Sequence, residues 1–265
     1  MMQGTHSPIG CPTLDILCGG GVPHESLIYL YGGPGLGKTT IALAMARAMG
    51  YTVWVDAGHN FDYPYATSQG CDDITVITGV EDISTIIPPL ISLIPLIVID
   101  DLTCISNNLA RPLEILMKEV VRLLPGSGTT ILLTNHVRQC RNGHLPPGGL
   151  SPIKYSHLVL ELGPHSSRVE SLLEVDIKIV KNTKGPCQGS GTLSLRDGLA
   201  REVDIVNTAI RLGIIEQTGS WYRYRDVKVH GHQDLYNLPN IGDIYLEVMK
   251  AYDTEEGSSY NPHSG

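Results

Sequence analysis

Aromatic variety is scarce: one phenylalanine, Phe61, stands beside twelve tyrosines, an imbalance that nothing in the sequence explains. Paired cysteines are absent. Cys11, Cys18, Cys71, Cys104, Cys140 and Cys187 are widely spaced with no C-x-x-C among them, which speaks against a zinc module or a disulfide framework and for reduced intracellular thiols. No apolar run reaches the roughly 20 residues of a membrane-spanning helix. The longest, around Leu90 to Ile99, is broken by Pro95 and reads as a helix end followed by a buried strand. The first residues lack a charged-then-apolar leader, so the expectation is a cytosolic protein with no membrane partner. Positive charge is also short, with 19 Lys and Arg against 27 Asp and Glu, a net charge of -8 and a pI near 5.6. A uniformly basic surface is thereby excluded, and any contact with nucleic acid must rest on a local strip.

What remains is an ordinary globular composition, 42% hydrophobic over 265 residues, enough for one large core. Near-continuous apolar runs at Leu27–Tyr31, Thr52–Asp56, Ile74–Ile77, Leu96–Asp100 and Thr130–Thr134 alternate with helical patterns. Strands buried on both faces read this way, so the spacing predicts an α/β fold with a mostly parallel, twisted central sheet flanked by helices. A helix is expected from Lys38 to Met49, stopped by Gly50. Another starts at Pro112, with Leu113, Leu116, Met117, Val120 and Leu124 on one face and Gly126 past its end. From Ser156 onward alternation takes over: Val175, Ile177 and Ile179 oppose Glu174, Asp176 and Lys178, with Leu193 and Leu195 on a partner strand, which predicts an antiparallel extension. A short helix over Val203–Leu212 and a hairpin over Ser220–Val229 follow. One core domain, residues 1–252, and a polar, disordered tail, 253–265, are expected.

Gly32-Gly33-Pro34-Gly35-Leu36-Gly37-Lys38-Thr39 matches G-x-x-x-x-G-K-[ST] in full, between a strand and a helix. In such a loop glycines let backbone N–H groups close on phosphate oxygens, and the helix N-terminus adds a positive field. Lys38 would reach the β- and γ-phosphates of ATP, and the Thr39 hydroxyl would bind Mg²⁺. Asp100, at the end of an apolar strand, supplies a carboxylate for the Mg²⁺ site. Asp101 beside it suits either a catalytic role or a helix cap.

From about Thr13 to Leu246 the chain resembles the ATPase core of bacterial and phage RecA-type recombinases. Leu14-Asp15-Ile16 with Gly19-Gly20-Gly21-Val22-Pro23 is similar to the segment leading into that family's phosphate loop. The run Val55-Asp56-Ala57-Gly58-His59 stands where the family has Asp-Ala-Glu-His. Thr134-Asn135-His136 stands at its Asn-Gln sensor, Val180-Lys181-Asn182 at its in-trans lysines, and Gly213 to Tyr222 at the end of its core. The resemblance implies ATP and Mg²⁺ as cofactors, a site completed by Thr40, and adenine contacts from Asp62 and Tyr65. It also implies γ-phosphate sensing by His136, with Lys181 acting on a neighbouring subunit's nucleotide. The partners it implies are single-stranded DNA and further RecA-type subunits, as a homo-oligomer or with another recombinase.

Departures from the family pattern sharpen these expectations. The family's water-polarising glutamate is Gly58 here, with Asp56 and Asp101 as nearby substitutes, so DNA-dependent hydrolysis is expected to be slow. The second in-trans lysine is Thr183, with Lys184 one position on. The sequence begins close to the core, so the family's N-terminal polymerisation arm is expected to be missing, and the stretch from Asp100 to Asn135 looks short where the first DNA loop would lie. The second DNA loop, residues 137–149, holds Arg138, Arg141 and His144 without an acid, a local strip for single-strand backbones. No aromatic residue interleaves it. The leading expectation is a small recombinase; the second is a non-hydrolysing regulatory paralogue, and the third a nucleotide-gated ATPase acting on protein partners. His230-x-His232 and Cys140-x-x-x-His144 lack the second pair a metal site needs. Trp221, Tyr222 and Tyr224 are expected to pack within the C-terminal hairpin, and Trp54 within the core.

Overall fold

The computed structural model describes residues 5–79, 82–105, 110–140, 143–145, 150–166 and 172–253. Eight strands form its main sheet: β1 (Leu27–Gly32), β2 (Thr52–Asp56), β3 (Ile74–Thr78), β4 (Leu96–Asp100), β5 (Thr130–His136), β6 (Leu158–Pro164), β7 (Leu173–Asn182) and β8 (Ser190–Leu195). Their spatial order is β8-β7-β6-β1-β5-β4-β2-β3. The six strands from β6 to β3 run parallel, and β7 and β8 add antiparallel.

Successive side chains of a strand point to opposite faces, and β1 shows the consequence. Ile28 and Leu30 join one apolar layer with Trp54, Val98 and Leu132, under Ile41, Ala42 and Met45 of helix α1 (Lys38–Met49). Leu27 and Tyr29 join the other, with Val55, Ile97, Ile99 and Leu133, under Leu113, Leu116, Met117 and Val120 of helix α2 (Ala110–Leu123). Burying each such side chain contributes about 1.5–3 kcal/mol, so the central strands are held from both sides. Trp54 is 1% exposed, as its place in a central strand requires.

Three expectations are revised. Helix α2 begins at Ala110, two residues before Pro112, which therefore sits inside the first turn where a missing N–H costs nothing. The antiparallel extension begins one strand later than Ser156 suggested: β6 lies parallel to β1, with Leu162 opposite Gly32. A helix not anticipated, α4 (Ile241–Asp253), runs to the last described residue; the rest of the expected tail, 254–265, lies outside the described residues.

Helices α3 (Arg201–Arg211) and α4 close a third apolar cluster, including Val206, Ala209, Tyr222, Tyr224, Ile244 and Val248, against a three-stranded antiparallel sheet. That sheet consists of β9 (Glu216–Thr218), β10 (Trp221–Tyr224) and β11 (Val227–His230). Two buried carboxylates tie this C-terminal unit to the start of the chain. Asp204 accepts from the Thr13 hydroxyl (2.6 Å), the Thr13 N–H (2.8 Å) and the Cys11 thiol (3.0 Å). Asp15 accepts three backbone N–H groups, from Ile9, Gly10 and Cys11, and the Tyr245 hydroxyl.

Candidate nucleotide site

Sheet register assembles the site. Gly32 lies opposite His136, and Asp56 opposite Asp100, so the carboxyl ends of β1, β5, β4 and β2 come level. Gly33 to Gly37 then turn the chain into α1. Gly37 has φ 77°, and a Cβ there would stand 2.3 Å from the Leu195 side chain. The Leu195 methyl could move, but the positive φ favours glycine here. At Gly32 a Cβ would meet the Leu162 carbonyl oxygen at 2.7 Å. The motif's glycines therefore let the loop approach its neighbours as well as a ligand, while Pro34 and Gly35 at the tip are exposed and Leu36 is half-buried.

Lys38 is buried, at 5% exposed. Its ammonium donates to the carbonyls of Gly32 (3.2 Å) and Gly33 (2.8 Å), and its Nζ lies 3.1 Å from His136 Nδ1. The opposite ring nitrogen, Nε2, is 2.9 Å from Asp101 Oδ2. A neutral imidazole satisfies both contacts in one tautomer, with Nδ1 accepting from the lysine and Nε2–H donating to the carboxylate. Burial pulls the Lys38 pKa below its ordinary value, against the opposing pull of Asp101 and Asp100.

Thr39 Oγ1 donates to Asp100 Oδ2 at 3.0 Å, and Thr134 Oγ1 donates to the other Asp100 oxygen. Burial raises the Asp100 pKa, and the two hydroxyl bonds oppose that shift. A hydroxyl and a carboxylate at the end of a phosphate loop are hard oxygen donors of the type Mg²⁺ takes, so this pair fits the metal. Thr134 was missed from sequence, although its place just before Asn135-His136 at a strand end was the available signal. Asn135 is fully buried, and its Nδ2 donates to the Tyr29 hydroxyl at 2.8 Å.

Both acids near Gly58 are engaged. Asp56 accepts the backbone N–H groups of Asn60 (3.0 Å) and Phe61 (2.9 Å), fixing the turn that contains Gly58. Asp101 caps a short 3-10 turn through the Thr103 N–H (2.7 Å) and hydroxyl, besides holding His136. Asp62 is the N-cap of the helix Tyr63–Ser68 and accepts the Tyr65 N–H at 3.0 Å. The Tyr65 hydroxyl lies 2.7 Å from Thr40 Oγ1, so this helix is fastened to α1 beside the phosphate loop.

Lys181 lies elsewhere. It pairs across β6 at Val159, which in turn faces Tyr29 in β1, towards the end of the sheet away from the loop. Its Nζ donates to the carbonyls of Lys154 (2.7 Å) and Ile153 (3.4 Å). Lys184 likewise donates to His24 and Glu25 carbonyls. After His136 a hairpin pairs Arg138 with Leu145 and Gln139 with His144, so Arg138 and His144 sit on its two strands. Arg141 lies outside the described residues.

An open, mostly parallel sheet with a complete phosphate loop at its carboxyl edge, and Asp100 at the same edge one strand beyond β5, defines a P-loop NTPase. A family model described as ATPase family associated with various cellular activities (AAA) matches residues 28–145, from β1 to the hairpin after β5. Protein RecA of Caldanaerobacter subterraneus subsp. tengcongensis is 30% identical over 263 residues, covering 84% of this chain and 75% of the relative. Protein RecA of Clostridium perfringens (strain SM101) is 28% identical, covering 92% and 81%, and that of Heliobacterium modesticaldum is 29% identical, covering 82% and 73%. The chain belongs to the RecA family and carries its P-loop ATPase core.

Proposed function

We propose that the chain is a recombinase that binds ATP–Mg²⁺ and single-stranded DNA, supports homologous pairing in recombination and repair, and hydrolyses ATP slowly. The observation that carries this reading is the Lys38–His136 contact. Lys38 belongs to the phosphate loop, and His136 is the last residue of β5, next to the hairpin that holds Arg138 and His144. A γ-phosphate that draws the Lys38 ammonium away from Nδ1 leaves His136 to re-aim its ring, and the hairpin follows. Thr39 and Asp100 hold the metal, Gly32 to Thr40 cradle the phosphates, and Tyr65 with Asp62 flanks the base. Lys181, remote from its own chain's loop, is suited to a neighbouring copy's nucleotide, so self-association completes the site.

ATP hydrolysis measured with and without single-stranded DNA tests the reading. Turnover stimulated by DNA and abolished by Lys38→Ala is expected. A salt-sensitive gel shift left unchanged by Arg138→Ala with Arg141→Ala would remove the loop from the DNA contact.

The engagement of Asp56 and Asp101 favours a second reading. With Gly58 in the glutamate position, each carboxylate oxygen of both acids is already bonded within the protein. The protein would then be an ATP-binding paralogue that modulates another recombinase, and tight ATP binding without turnover is its signature.

A further inference from the structure

The small C-terminal sheet has two unlike faces. Alternation sends Tyr222 and Tyr224 inward, 8% and 2% exposed, onto α3 and α4. Trp221 goes the other way and is 46% exposed, so the expectation that all three aromatics pack in the hairpin holds for the tyrosines alone. Register surrounds it with polar groups: Thr218 and His230 lie directly opposite on the flanking strands, and Glu216, Arg223 and Lys228 form the next row. Lys228 Nζ stands 4.7 Å from the centre of the indole, and the His230 ring meets it edge-on at 4.8 Å. Glu216 is taken by Arg223 at 2.5 Å. The one carboxylate among the described strand residues of this face is thus neutralised and the Lys228 charge is left over, on a protein whose net charge is -8.

We propose that this face is a second contact for single-stranded nucleic acid, in which a base stacks on Trp221 and Lys228 reaches the adjoining phosphate. An exposed indole with an ammonium beside it supplies the two elements that sequence-tolerant single-strand binding uses, a π-surface and a cation on the backbone. It supplies what residues 137–149 lack, an aromatic. An apolar protein partner is a poor fit, because every neighbour of Trp221 on this face is polar. A duplex is a poor fit, because its base faces are stacked away. The proposal shares with the reading above only the choice of a single strand as partner.

Trp54 is 1% exposed, so quenching of tryptophan emission by an added oligonucleotide reports on Trp221. Titrating the full chain with a thymidine oligonucleotide should quench this emission, less so as salt rises. Quenching should persist in the Arg138→Ala, Arg141→Ala protein, which separates this face from the loop. By anisotropy of a labelled oligonucleotide, Trp221→Ala should weaken binding about tenfold or more, with Trp221→Phe recovering part of it. Lys228→Glu, on an exposed side chain, should weaken it without altering the melting temperature. Oligonucleotide binding with unchanged emission would overturn the proposal while leaving the loop reading intact. Equal quenching by a duplex, or quenching that follows protein concentration without DNA, would overturn it in favour of another occupant.

Discussion

His136 stands between Lys38 and Asp101, accepting at Nδ1 from the phosphate-loop ammonium 3.1 Å away and facing the carboxylate with Nε2 at 2.9 Å. The three residues come from the start of α1, the end of β5 and the end of β4, and the sheet alone brings them together. Lys38→Ala removes a buried cation whose bonds to a bound phosphate would be charge-assisted. It should weaken ATP binding about 100-fold, equivalent to about 3 kcal/mol, as read by calorimetry. His136→Ala should leave ATP affinity within about tenfold, since one neutral contact is lost. It should, however, abolish the effect of ATP on DNA affinity. Equal DNA affinity of the wild type with and without ATP would remove His136 from the switch.

Burial gives Lys38 a pH signature. Its pKa lies below the ordinary 10.5, and phosphate binds the charged form. Above the lowered value, binding must therefore take up a proton, and ATP affinity falls as pH rises. The fall should begin at lower pH than an exposed lysine would give. Calorimetry in buffers of different ionisation enthalpy counts the proton directly, and no uptake at alkaline pH would contradict the assignment.

Gly58 is open to direct repair. Its φ is not in the left-handed region, and a Cβ there would meet Asn60 Nδ2 at 2.7 Å and Cys104 Sγ at 3.4 Å. The first is the end of an exposed side chain that can swing aside. Gly58→Glu, alone or with Asn60→Ala, should raise turnover by about 100-fold or more, the usual contribution of a positioned base. No change in turnover with ATP binding intact would locate the deficit in assembly or in the His136 switch.

Much of this was legible in advance, for a physical reason. Strands such as Thr52–Asp56 and Leu96–Asp100 are apolar runs that each end on an acid, so their limits coincide with those in the structure. The phosphate loop is a local motif, and its helix runs as expected from Lys38 to Met49. Pairing is not local: the run at Leu158–Pro164 does not say whether it lies parallel or antiparallel to its neighbour, and only the sheet decides. Nor does a run of residues reveal that Asp56 spends both oxygens, and Asp62 one, on backbone N–H groups. Trp221 could have been read better. It differs in parity from Tyr222 and Tyr224, and in a strand that alone puts it on the opposite face.

Asp204 offers a test of how the C-terminal unit is held. It is 5% exposed and accepts from Thr13 twice and from Cys11. Asp204→Ala strands two buried donors of Thr13 and should destabilise the fold by about 3 kcal/mol, seen as a lowered denaturant midpoint. Burial also raises the Asp204 pKa above 3.8, outweighing the bonds to Thr13 and Cys11 that lower it. Between 3.8 and that raised value the folded chain holds the proton more tightly than the unfolded one. Its contribution to stability is therefore greatest at acid pH and declines as pH rises through this window. Asp204→Asn keeps an acceptor for Thr13 but has no proton to lose, so its stability should decline less over the same window. Parallel pH profiles for wild type and Asp204→Asn would mean that the N–H and O–H donors, rather than burial, set the charge of this carboxyl.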